Sequence, residues 1–452
     1  MHKDYAWTVD CLSLKIFMNA NAVAITGNFL HCVDDPRTGG QEAVEYIDDG
    51  MMLIEDGHIS ALGPVASIEV PSGAQQLNYR GKLIVPGFID THVHFPQVDV
   101  IASYGTQLLD WLERYTFPAE SRFADPTVAR DTATFFLDQL LSNGTTTALV
   151  FGTVHKASVD AFFEAATKRS LRMICGKVLM DRNAPPELCD TPETAYSDSI
   201  DLIHQWHGKS RLGYAVTPRF APTSTEAQLA VAGQLLDEHP GVHLHTHLSE
   251  NHDECAWVGE LFPDCTDYLG VYEKFSLVRK RSVFAHSLHL SDREWRALAH
   301  ADASIAHCPT SNLFIGSGLF KLAKADEHKV RVGLGTDIGG GDSFSILRTI
   351  NEAYKVQQLQ QVSLSPERAL YLATLGGARS LDLDGVIGNF SKGKEADMVV
   401  LDDSATTLTA RRSSTMTDWR EKLFMLMMLG DERSIFDTLI LGQPTKRSVA
   451  QR

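Results

Sequence analysis

Several features of a secreted or membrane-bound chain are missing from this sequence. The opening stretch, MHKDYAWTVD, is polar and lacks the apolar centre of a signal peptide. No uninterrupted apolar run approaches the roughly 18 residues of a membrane span. The seven cysteines (Cys11, Cys32, Cys175, Cys189, Cys255, Cys265 and Cys308) are odd in number, scattered, and include no CxxC pair. That excludes a disulfide framework and reads as reduced thiols. Basic side chains are in deficit, with 41 Lys and Arg against 57 Asp and Glu and a net charge of −16. A chain of that balance has no electrostatic footprint for nucleic acid or an anionic membrane. Low-complexity segments and short tandem repeats are absent too. These absences together imply a cytoplasmic protein that handles a small neutral molecule.

What is present is a long alternation of apolar runs and helical patterns. The 452 residues exceed the roughly 250 of a bare β/α barrel, so one large domain with a smaller companion is expected. Eight apolar runs can be buried parallel strands: Leu83–Phe95, Thr146–Val154, Arg172–Asp181, Leu212–Phe220, Val242–Leu248, Ser282–Leu288, Ala303–Cys308 and Val330–Asp337. Helical patterns lie between most of them. The clearest is Pro126–Ser142, stopped by Asn143-Gly144. Others run near Ser158–Lys168, Thr225–Glu238, His252–Phe275 and Ser291–His300, with two more near Ala353–Gln361 and Asp418–Leu429. Eight strand-then-helix units predict a (β/α)8 barrel over 81–387. An open doubly wound sheet is the alternative, but no Gly-rich phosphate loop follows the first strand. The ends, 12–80 and 388–445, read as β-rich pieces that pair into a small β-sandwich. They include a hairpin turning at Asp56-Gly57 and strands within Gly393–Asp402 and Ser434–Gly442.

Barrel active sites form where the strands end. The first strand ends in Asp90-Thr-His92-Val-His94-Phe-Pro-Gln97, and residues i and i+2 share a face. The fifth ends in His243-Leu-His245-Thr-His247-Leu-Ser-Glu250, the sixth in Ala285-His286, and the eighth in Gly335-Thr336-Asp337. A His-x-His pair alone carries little, because strand histidines also serve packing. His243 and His245, lower in their strand, are expected to be structural. Four strands each ending in a His or Asp are another matter, and imply a divalent metal, zinc first and iron second. The fourth strand ends in Thr217-Pro-Arg219-Phe220, and an arginine cannot bridge two metals. Lys177 lies short of its strand end and is expected to pair with a carboxylate. The reading is therefore one metal, held by His92, His94, His247 and Asp337, with a position open for water. Glu250 stands where it can move a proton, and His286 is either a partner of the attacking water or a fifth ligand. Asp253 and Glu254 are expected to be solvent-exposed. His252-Asp-Glu254 echoes half of the pyrimidine-deaminase zinc signature, but no P-C-x-x-C completes it.

With these residues in view, the chain resembles the amidohydrolase superfamily and, within it, the guanine deaminases. The resemblance runs over nearly the whole chain. It is carried by Pro86-Gly-Phe-Ile-Asp-Thr-His-Val-His-Phe-Pro-Gln97, Leu109-Asp-Trp-Leu-Glu-Arg-Tyr-Thr-Phe-Pro-Ala-Glu120, Thr217-Pro-Arg-Phe220, His245-Thr-His-Leu-Ser-Glu-Asn251 and Gly335-Thr-Asp337. Pro309-Thr-Ser-Asn312 and Gly393-Lys-Glu-Ala-Asp397 match the broader family. The resemblance implies hydrolysis of guanine to xanthine and ammonia by a zinc-activated water, in a cytoplasmic homodimer. Glu250 would shuttle protons, with His286 and Asp337 orienting the nucleophile. Gln97 would meet the purine edge, Arg219 and the Phe220 backbone the ring carbonyl, with His94 and His247 beside the base. A guanidinium aimed at that oxygen selects guanine over adenine. Ser287 departs from the family pattern, where a Cys is expected. The first dozen residues look like an extension. The competing readings are a deaminase or hydrolase acting on another purine, a pterin or a triazine, and a barrel kept as a non-catalytic scaffold.

Overall fold

The computed structural model describes residues 22–105 and 107–445. Cys11, the N-terminal extension and the first residues of the 12–80 segment lie outside the described residues. The chain opens with β1 (Val23–Cys32), β2 (Val44–Glu55), β3 (His58–Pro64) and β4 (Gln75–Pro86). The β2–β3 turn is Asp56-Gly57, and both residues have positive φ, 50° and 79°, as a tight hairpin turn demands. Nine strands follow. They are β5 (Phe88–His94), β6 (Thr145–Phe151), β7 (Arg172–Gly176), β8 (Val178–Leu179), β9 (Leu212–Pro218), β10 (His243–Leu248), β11 (Ser282–His286), β12 (Ser304–His307) and β13 (Arg331–Leu334). The chain closes with β14 (Met398–Leu401), β15 (Ile435–Ile440) and β16 (Gln443–Pro444).

β5, β6, β7 and β9 through β13 pair side by side and parallel, with the short β8 beside β9. The two ends of that path meet. The backbone N–H of Asp337 donates to His92 O at 3.0 Å, that of His94 donates to Ile338 O at 3.1 Å, and Thr91 Oγ1 donates to Leu334 O at 3.0 Å. The sheet therefore curls into an eight-stranded barrel, not an open doubly wound layer. Every expected barrel strand has its counterpart, with two revisions: Arg172–Asp181 is broken at Lys177 into β7 and β8, and the first run is split as well. Leu83–Phe95 is two strands, because the chain leaves the terminal sheet as β4 and enters the barrel as β5 across Gly87.

Inside the barrel, Ile89, Leu149, Ile174, Ala215, Val283 and Ala306 form one buried apolar layer from six strands. Outside it, Phe136, Leu140, Phe162 and Phe163 pack helices against the strands. The helix Pro126–Ser142 starts at Asp125, whose side chain accepts from the Thr127 N–H, and has Pro126 at its first position. The predicted helix over His252–Phe275 is instead two, His252–Leu261 and Tyr268–Lys274. Pro263 cannot continue the first, and Asp267 caps the second through the Gly270 N–H.

The terminal strands join in the order β16-β15-β14-β4-β1-β2-β3. β4 pairs parallel to β1 up to Asn78 and resumes at Leu83, so the residues between bulge out and bend the sheet. Val23, Ile25, Phe29, Met52, Ile54 and Met398 form a core of its own within that bend. Arg172 and Arg211, at the starts of their strand segments, reach Glu395 and Asp397 beside β14 and tie the sheet to the N-terminal end of the barrel.

Candidate active site

Five side chains converge above the apolar layer, where β5, β10, β11 and β13 end. His92 and His94 project from alternate positions of β5, and His247 from β10. Asp337 follows β13 and is seated by the backbone bonds that close the barrel. Gly335 permits this, since a Cβ there would meet His92 Cβ at 2.9 Å and Cys308 Sγ at 2.8 Å. Asp337 Oδ1 lies 3.1 Å from His92 Nε2 and 3.3 Å from His94 Nε2. His94 Nε2 lies 3.2 Å from His92 Nε2 and 3.3 Å from His247 Nε2. Donors held at tetrahedral zinc distances stand about 3.3 Å apart. His286 is wider of the centre, with Nε2 3.7 Å from Asp337 Oδ2 and 3.4 Å from Glu250 Oε2.

The hydrogen bonds behind these rings decide which nitrogen faces inward. His247 Nδ1 donates to the Arg219 carbonyl at 2.7 Å, and His286 Nδ1 donates to Asn312 Oδ1 at 2.8 Å. Both therefore turn Nε2 toward the centre. His92 Nδ1 contacts His245 Nε2 at 2.7 Å. Burial, the largest cause, holds the His92 and His247 rings below the ordinary imidazole range and His94 at about 3, so all three are neutral donors. Neutral imidazoles gathered around a carboxylate suit a divalent cation, and the residues present fit one. Asp90 braces the ring of strands by accepting from the His92 N–H at 3.2 Å and the Thr336 N–H at 3.1 Å. His286 and Asp337 themselves hold left-handed backbone, φ 66° and 52°, a strained conformation for side chains other than Gly.

A model of the Amidohydrolase family matches residues 83–443. The chain belongs to the amidohydrolase family. Among curated proteins, the guanine deaminase of Escherichia coli (strain K12) is 52% identical over 425 residues, covering 93% of this chain and 97% of that protein. The solved E. coli guanine deaminase superposes with a TM-score of 0.92 at 52% identity, covering 94% of this chain and all of that one. The guanine deaminase of C. acetobutylicum, solved with guanine bound in its active site, is 29% identical with a TM-score of 0.85, covering 94% of this chain and 100% of the other.

As in any amidohydrolase barrel, the pocket opens at the strand ends. His94, His247, His286, Asp337 and Glu250 line one side, and Gln97 and Arg219 also face in. Leu108, Trp111, Leu112, Phe220 and Ile315 supply apolar walls. Glu250 is buried and accepts from Ser317 Oγ at 3.0 Å, and burial, then the charge of Asp337, push its carboxyl up to about 8. Of the singled-out residues, Gln97, His94, Arg219, Phe220, His247, Glu250, His286 and Asp337 line this pocket, while His92 lies beneath it against His94 and Asp337.

One neighbour differs from the sequence expectation, and Glu120 is one it did not assign. Glu254 is fully buried, not solvent-exposed: its Oε2 accepts from the Glu250 and Asn251 N–H groups at 2.9 and 3.1 Å, and its Oε1 from Tyr268 at 2.6 Å. It is the third residue of a capping box begun by Asn251, a spacing visible in the sequence. His245 backs a candidate ligand, whereas His243 bonds only the Leu381 carbonyl, at 2.8 Å. Glu120 was not singled out, yet it is buried against both Gln97 and Arg219. Lys177 does meet a carboxylate, Asp190. Asp253 is exposed, as expected, and the buried Ser287 hydroxyl has no partner.

Proposed function

We infer that this chain is a guanine deaminase, converting guanine and water to xanthine and ammonia. One observation carries the reading: a fixed guanidinium, Arg219, and a fixed carboxamide, Gln97, share a pocket with the His and Asp donor cluster. The relatives described above bear the same activity in their names. A divalent ion, zinc first and iron(II) second, held by His92, His94, His247 and Asp337 would supply a water of lowered pKa beside the base. His286 and Asp337 orient that water toward C2. Glu250 accepts one proton of the water and passes it to the adjoining ring nitrogen, and then carries the second, from the new C2 hydroxyl, to the departing amine. The carbon–oxygen bond forms, the carbon–nitrogen bond breaks, and ammonia leaves. Glu250, buried and held by the Ser317 hydroxyl, is placed to hand a proton between water and base. Arg219 donates to the ring oxygen, Gln97 and the Phe220 backbone take the purine edge, and His94 and His247 border the base.

Adenine lacks the oxygen that Arg219 addresses, so its entry leaves a buried donor unpaired. The protein acts as a cytoplasmic homodimer without a nucleic-acid or membrane partner. No helix among the described residues is long and apolar enough to cross a membrane. Turnover of guanine, adenine, a pterin and an aminotriazine by the zinc-loaded protein tests the substrate. Ammonia release from guanine at rates far above the other three is expected. Preference for any of the others would reassign the substrate, and metal uptake without turnover of any would favour a scaffold.

A further inference from the structure

Glu120 lies on the short helix Phe117–Ser121, in the segment between β5 and β6. Its side chain is 1% exposed and does not line the pocket, yet it touches two residues that do. Oε1 accepts from Gln97 Nε2 at 2.9 Å and from Arg219 Nη1 at 3.0 Å, and Oε2 accepts from the same Nη1 at 2.8 Å. Two consequences follow from chemistry alone. A carboxylate only accepts, so Gln97 must turn its nitrogen to Glu120, which leaves Oε1 to take the Gly339 N–H at 3.3 Å. The carboxamide then has one orientation. Arg219, 3% exposed on its side chain, also has its positive charge matched by a buried negative one. A guanidinium neutralised from behind keeps its directional N–H groups but loses its net pull on anions.

We propose that Glu120 is the positioning residue of this pocket, holding Arg219 and Gln97 in their binding orientations and cancelling the Arg219 charge so that a neutral carbonyl-bearing base is preferred to an anionic one. The proposal rests on the reading that Arg219 and Gln97 bind the base. Its preference is for the charge state of the ligand, which a merely structural role for Glu120 would not move.

The test uses the zinc-loaded full chain as wild type, Glu120→Gln and Glu120→Asp. It measures guanine turnover and competitive inhibition by hypoxanthine, which is neutral, and urate, which is anionic at neutral pH. Wild type should bind hypoxanthine more tightly than urate. Glu120→Gln should raise KM for guanine about 10- to 100-fold, the scale of a lost charged hydrogen bond, and shift the ratio of inhibition constants at least about tenfold toward urate. Glu120→Asp keeps the charge and should keep the wild-type ratio even where KM rises. An unchanged ratio in Glu120→Gln, a shifted ratio in Glu120→Asp, or a wild type that prefers urate would each overturn the proposal. If Glu120→Gln does not fold, the other two arms still decide. Wild type that fails to turn over guanine would instead sink the substrate reading.

Discussion

Two clusters of buried polar groups sit at opposite ends of the same barrel, and they are built on opposite rules. At the N-terminal end, Arg172 and Arg211 meet Glu395 and Asp397, donors against acceptors, and the charges close on one another. At the C-terminal end, Nε2 atoms of His92, His94 and His247 and a carboxylate oxygen of Asp337 crowd together, with neighbours at 3.1 to 3.3 Å and no Lys or Arg among the described residues paired to the carboxylate. The first cluster is complete as protein and joins the terminal sheet to the barrel. The second gathers three imidazoles and a carboxylate, a donor set that suits a divalent cation. Complementarity within the chain marks a structural ion network, and its absence marks a ligand site.

That contrast can be broken from either side. The largest effect expected is from a strong chelator, which should abolish guanine turnover, with zinc restoring it. Full activity after metal is shown to be gone would remove the distinction between the clusters. Next comes Arg211→Ala, which leaves the buried Asp397 without its cation and Glu395 with Arg172 alone, and should destabilise the fold by about 3–5 kcal/mol. Denaturant unfolding would show the loss, while kcat of the remaining folded protein should stay near wild type. A large drop in kcat at full stability would mean the N-terminal network takes part in the chemistry. Asn312→Ala frees the His286 ring and should cost about 10- to 100-fold in kcat/KM, with unfolding little changed. The smallest effect expected is Ser287→Cys, which replaces a partnerless buried hydroxyl and should shift stability by less than about 1.5 kcal/mol.

Much of this was legible in the sequence because it is local. Period-two placement puts His92 with His94 on one face of β5, and the Asn143-Gly144 stop marks a helix end within a few residues. The barrel follows from counting eight such units. The parts that were not legible depend on contacts between distant segments. Glu120 closes the Leu109–Glu120 stretch of the resemblance, but nothing local gives it a role until the fold brings Gln97 and Arg219 to it. Glu254 looks like a surface glutamate until its capping box is seen to be buried under Tyr268. The joining of β4 to β14, and so of the two chain ends, is set by packing across more than 300 residues, which no local period encodes.

The account stands most directly on guanine turnover by the zinc-loaded protein beside its Glu250→Gln variant, following ammonia and xanthine together. The two products should appear in equal amounts from wild type, and kcat should fall about 10²- to 10⁴-fold in the variant with unfolding unchanged. Equal turnover by the two proteins, or loss of guanine without xanthine, would contradict it.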